Sequence, residues 1–235
     1  MGNCLVPKGS RFRRSELMIG KNFLEMVEKN SGKVYGFKLD HNFGFGFAEV
    51  YDFTDVSNFS GRLIFVYNLI ADDLNANLSI DEISKSGIAL GPITLWKFPN
   101  SRGKGAWKLI GKMDHFLIDI YPPAKDVRAN PFLYNNWSKF DRWFIDSEVN
   151  DPLEYVPYEQ VRRMETRVLN PKEGVAKKFT MKHIIDTGLN VSDYYDLSDL
   201  GNRNMYVDLV NTYYPDDQVE VLVRNLPILV PRSAK

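Results

Sequence analysis

The stretch NFGFGFAEV (residues 42–50) decides how this chain is read. Successive side chains of a strand point to opposite faces, so alternation puts Phe43, Phe45 and Phe47 on one face. Gly44 and Gly46 leave the other face bare, which lets another backbone or a large aromatic ring approach closely. The same letters are close to the RNP1 signature of RNA-binding sheets, a basic residue followed by G-F-G-F-V-x-F. A companion, IFVYNL (residues 64–69), fits RNP2, in which exposed strand aromatics stack on bases. Its place is wrong: RNP2 belongs to the first strand and here it follows. Phe43 also stands where the phosphate-binding Lys or Arg belongs. A dense phenylalanine face is ordinarily core, so the stretch is read as a core strand. A base-stacking platform of Phe43, Phe45 and Phe47 beside Tyr67 is the alternative.

Outward from this strand the period of two continues. KVYGFKLD precedes it across the turn-like DHN, and the apolar run GRLIFVYNLI follows as a buried strand. SIDEISKSG reads as a short helix; GPITLWKF and AWKLIGK read as a strand pair joined by the loop PNSRGKG. DHFLIDIY and DRWFIDSE read as further strands, and QVEVLVRNL as an alternating, closing one. Helices are expected in SELMIGKNFLEMVEKNSG with Ser15 as N-cap, in VPYEQVRRMETRVL from Pro157, in TMKHIIDTG with Gly188 as stop, and in NMYVDLVNTYY. The sum is an α+β chain. A mostly antiparallel twisted sheet or partial barrel fills the first half, after an N-terminal helix, and the C-terminal part is mixed helix and strand. The organisation expected is a basic segment and helix over 1–31, a β-rich domain over 32–166, and an extension over 167–235 packed on it.

Thirty basic residues balance thirty acidic ones among 235. Zero net charge argues against a general polyanion binder. Cys4 is the single cysteine, so no internal disulfide forms and a reducing, cytoplasmic setting is expected. No apolar run reaches membrane-span length, and Val6 stands where a myristoylation signal needs Ser or Thr. The charge is unevenly spread: bases crowd residues 1–38, whereas Asp186, Asp193, Asp196, Asp199, Asp208, Asp216 and Asp217 face only Arg203 across 186–217.

Signals for catalysis are poor. GKGAWKLIGKM (residues 103–113) has five residues between Gly105 and Gly111, and Met113 where a phosphate loop needs Ser or Thr. GFGFAE has Glu49 at the third glycine of the dinucleotide fingerprint. The histidines, His41, His115 and His183, lie far apart and none has a ligand partner at metal-site spacing. No catalytic residue, metal or cofactor is expected. An enzyme using paired carboxylates is the remaining alternative, with nothing to select the pair.

Taken in order, GKVYGFKLDHNFGFGFAEV, GRLIFVYN and GPITLWKFPNSRGKGAWKLIGK resemble the immunity protein 26 family of bacterial polymorphic toxin systems. DRWFIDSE and EYVPYEQVRRMET are similar to the tail of longer members, so the likeness covers residues 33–112 and, more loosely, runs to 166. The resemblance implies a mostly β domain and a partner, a cognate protein toxin, neutralised by stoichiometric occlusion. It implies neither catalytic residues nor a cofactor, and supplies no contact motif. Tight inhibitors combine aromatic anchors with steering charges. The segment DYYDLSD, with Asp193, Tyr194, Tyr195, Asp196 and Asp199, is the first candidate surface. A solvated helix start with aspartate capping is its bland alternative. Arg102 and Lys104 in NSRGKG are the second candidate, against a plain hairpin loop.

Overall fold

The computed structural model describes residues 31–52, 62–74, 78–95, 97, 99, 105–113, 124–127, 143–146, 154–167, 170–224 and 226. The first half is a five-stranded antiparallel sheet of β1 (Lys33–Lys38), β2 (Phe45–Asp52), β3 (Arg62–Ala71), β4 (Ile88–Leu95) and β5 (Lys108–Lys112), in the order β4-β3-β2-β1-β5. A short helix, α1 (Ile80–Lys85), links β3 to β4 and opens with a capping box between Ser79 and Glu82. A second antiparallel sheet holds β6 (Ala124–Val127), β7 (Trp143–Asp146) and β8 (Glu154–Val156). Then come α2 (Tyr158–Val161), α3 (Lys172–Asp186), α4 (Leu200–Tyr213) and α5 (Asp216–Arg224). The chain is α+β, as its periodicities predict.

Two apolar layers sandwich the large sheet. On one face Val34, Phe47 and Tyr67 pack with Ile83 of α1 and Met113. On the other, Tyr35, Phe37, Ala48, Val50, Ile64 and Val66 meet Val175, Phe179, Ile184, Tyr206, Leu209 and Val210 of the helices. Sheet and C-terminal helices therefore share one core. Gly46 makes this contact possible. A Cβ there would lie 2.9 Å from the rings of both Phe179 and Phe37, so the bare face of the strand is filled by aromatic rings, as read from the sequence.

The phenylalanine face needs a correction. Phe47 is buried on the α1 side and Phe45 is half-buried, but Phe43 precedes the strand and packs against the helical layer instead. The cause is the turn. His41 (φ 53), Asn42 (φ 60) and Gly44 (φ 98) all have left-handed backbones, which breaks the two-residue alternation before β2 begins. With Phe47 at 1% and Tyr67 at 0% exposure, these two rings of the suspected base platform are closed to stacking.

Three further expectations fail for physical reasons. β4 and β5 do not pair with each other: β5 takes the open side of β1, with Gly36 opposite Lys108, while Asn170 bridges to Leu95 at the far edge. The helix from Pro157 is one turn only, because Glu165 and Arg167 are drawn out to hydrogen-bond both sides of Lys125 in β6 (2.9 and 2.8 Å). The last expected strand is α5. Val219, Leu222, Val223 and Leu226 repeat at helical spacing and pack on the core, so the apparent alternation is one stripe of an amphipathic helix. The helix ending near Gly188 is the longer α3, closed by amides of Gly188 and Leu189 donating back to Ile185 and Ile184 (both 2.9 Å). The expected N-terminal helix and the DHFLIDIY strand lie outside the described residues. Among the described residues no helix is long and apolar enough to cross a membrane.

Candidate functional site

Two constellations stand out, one at the surface and one in the interior. The surface one forms where the β1–β2 turn meets the C-terminal helices. Asp40, His41 and Asn42 make a tight 3-10 turn, and its left-handed residues turn the exposed His41 and Asn42 outward. The backbone amide of Asp40 donates to Thr180 Oγ1 of α3 at 3.0 Å, and Tyr195 donates its hydroxyl to the Asp40 carboxylate at 2.9 Å. These bonds fix the turn against residues 191–195, themselves a 3-10 turn capped by Asn190.

The result is a string of edge-to-face rings. His41 lies 5.5 Å from Tyr194 and 4.7 Å from Tyr195; Phe43 lies 5.1 Å from Tyr194 and 5.4 Å from His183. Such pairs have favoured geometry. Burial and the bond to Asp40 hold the Tyr195 hydroxyl well above the ordinary tyrosine range. Burial lowers the pKa of His183, against the pull of Asp186. The sequence reading set His41 and His183 apart, each alone. The fold gathers them at either end of the Phe43–Tyr194 pair, and no local motif announces it, because the three elements are joined only by tertiary packing.

The predicted surface residues divide accordingly. Tyr195 is buried and serves the turn, whereas Tyr194 is half-buried and reaches the surface. Asp196 accepts from both the amide and hydroxyl of Ser198 (2.8 and 2.6 Å), and these bonds depress its pKa. Asp199 caps α4 by accepting from the Asn202 amide at 2.9 Å. Asp193 is less committed: its carboxylate has Asn190 Nδ2 at 3.4 Å. All three aspartates are exposed. Arg102 and Lys104 lie outside the described residues.

The interior constellation was not expected. Lys125 of β6 is fully buried, and its ammonium meets Asp208 Oδ1 at 2.9 Å, Thr212 Oγ1 at 2.9 Å and the Arg162 carbonyl at 3.2 Å. Lys178 of α3 donates to Glu165 (2.7 and 3.0 Å) and to Asp208 Oδ2 (3.0 Å). Thr166 donates to Asp208 at 2.9 Å, and the Tyr213 hydroxyl donates to Glu165. Two cations thus balance two carboxylates. Burial alone would discharge Lys178 and Asp208. The partner charges outweigh it, holding Lys178 above the ordinary lysine value and Asp208 below the ordinary carboxylate value. The side chains of all four ionic groups are at most 10% exposed, so this network ties β6, α3 and α4 together rather than facing solvent. The sequence signal was there: Lys178 and Asp208 sit between core residues, at Val175–Phe179 and Val207–Leu209, where a charge needs a partner.

Compared with family models, with curated proteins and with solved structures, the chain finds no match in any of the three.

Proposed function

We propose that the chain is an immunity-type protein of the cytoplasm, which binds a cognate bacterial toxin stoichiometrically and neutralises it by covering its working surface. The sequence resemblance to the immunity protein 26 family supports this reading. The observation that carries it is the ring cluster of His41, Phe43, Tyr194 and His183, half-open at the surface beside the exposed carboxylates of Asp193, Asp196 and Asp199. Binding energy at protein interfaces concentrates in preorganised aromatic and arginine anchors. Here the rings are held by mutual packing and by the Tyr195–Asp40 and Thr180–Asp40 bonds, so little side-chain freedom is lost on binding. The acidic rim would steer a basic toxin and raise its association rate.

Size-exclusion chromatography of the chain mixed with the toxin encoded beside it tests the reading. A one-to-one complex is expected. Separate elution at micromolar concentration would remove it. The nucleic-acid alternative draws no support from Phe47 and Tyr67, whose rings are closed.

A further inference from the structure

We infer that the Tyr194 face is a subsite for an arginine side chain of a basic protein partner, with Asp193 as its counter-ion. The inference rests on the toxin-binding reading and names the chemistry of its anchor. Three observations carry it. First, the neighbouring rings show how this part of the molecule already uses cations. Lys177 Nζ lies 5.9 Å from the Tyr195 ring and Lys182 Nζ 5.5 Å from the Tyr214 ring. Both lysines are also bound elsewhere, Lys177 to Asn202 and Lys182 to Asp186. Tyr194 is half-exposed, and no cation lies over its ring among the described residues.

Second, the carboxylates are not equivalent. Asp196 and Asp199 are occupied by strong local bonds, whereas Asp193, next to Tyr194, holds one long contact to Asn190. Asp193 immediately precedes Tyr194 in the chain and is exposed, so its carboxylate is the one left for a cation that stacks on Tyr194. Third, the His41 and Phe43 rings are inclined at 63° and 61° to the Tyr194 ring, which makes a stepped aromatic wall. A planar guanidinium can lie along such a wall and still direct its N–H fork at a carboxylate; a compact ammonium cannot do both.

The test uses the full chain and a short acetylated peptide carrying three arginines, followed by NMR of the aromatic side chains. Citrulline keeps the shape and loses the charge. The expected result is saturable shifts at Tyr194 and His41 with the arginine peptide, at least about fivefold weaker binding by the citrulline peptide, and a similar loss in Asp193→Asn and Tyr194→Leu. Asp81→Asn, on the exposed side of α1 across the sheet from the ring cluster, is the surface control and should leave binding within about twofold. Equal binding by the two peptides, shifts confined to other residues, or unchanged binding by both variants would overturn the inference. Arginine binding as expected without toxin binding would leave the subsite standing and remove the neutraliser reading; toxin binding insensitive to both variants would do the reverse.

Discussion

Lys125 and Asp208 meet at 2.9 Å in the interior, one on the small sheet and the other on α4. They join parts of the chain more than eighty residues apart in sequence, and Lys178 and Glu165 complete a neutral set of four charges. Removing one member leaves a buried charge without its partner. Asp208→Asn or Lys125→Met should lower unfolding free energy by about 3–5 kcal/mol. The double variant Lys125→Met with Asp208→Asn leaves the Lys178–Glu165 pair neutral and should recover a large part of that loss. Urea denaturation of the three variants checks this; simple additivity of the single losses would contradict it.

Gly46 supplies a second prediction. Its missing side chain is what admits Phe179 and Phe37, so Gly46→Ala should cost about 1–3 kcal/mol by overpacking, although the residue lies in a strand where alanine is otherwise tolerated. Combining it with Phe179→Leu should cost less than the sum of the two. Thermal melting of the single and double variants measures the coupling.

Alkali should unfold the protein through its buried tyrosines. Burial pushes Tyr206 up to about 12, and burial with a carboxylate neighbour raises Tyr67, Tyr195 and Tyr214 further. An acid whose folded pKa is raised keeps its proton in the native state after the unfolded chain has lost it. Stability is therefore fully present below pH 10 and falls as pH rises beyond it. Phenolate absorbance should rise together with loss of near-ultraviolet circular dichroism. Ionisation of these tyrosines with the fold intact would contradict the burial argument.

Mild acid should have a smaller effect through His183. Burial lowers its folded pKa, so the unfolded state binds the proton more readily and stability declines as pH falls below the ordinary histidine value. The residue is only half-buried and Asp186 opposes the shift, so the change in urea midpoint between pH 7.5 and 5.5 should be slight, and His183→Gln should reduce it further. Asp208, held low by Lys125 and Lys178, acts in the same direction but only at stronger acidity.

Much of the first half could be read from residues alone. Alternation and turn chemistry located β1 to β4, and SIDEISKSG read as the short helix α1, because these signals are local. The errors arose where tertiary contacts override the local pattern. The β1–β2 turn reverses Phe43 against the expected alternation; α5 imitates a strand because its valines fall at every second position; α2 stops after one turn because its continuation pairs with Lys125. The surface cluster was half legible. Tyr194 and Asp193 stood out as an acidic, aromatic segment, but His41, Phe43 and His183 reach it only through folding.

Charge reversal of the acidic rim addresses the steering argument. Asp193→Lys, Asp196→Lys and Asp199→Lys together should slow association with a basic toxin by about tenfold or more at low salt, and the difference should shrink at 0.5 M salt as screening removes it. Stopped-flow fluorescence reads the rate. A rate unchanged at low salt would clear this rim of any steering role.

The most direct test of the account is growth of cells that express the neighbouring toxin together with this chain. Wild-type protein is predicted to restore growth, and the variant carrying His41→Ala with Tyr194→Leu, verified as folded by circular dichroism, is predicted to fail. Growth that stays arrested with wild-type protein present, or that is restored equally by the folded variant, would contradict the account.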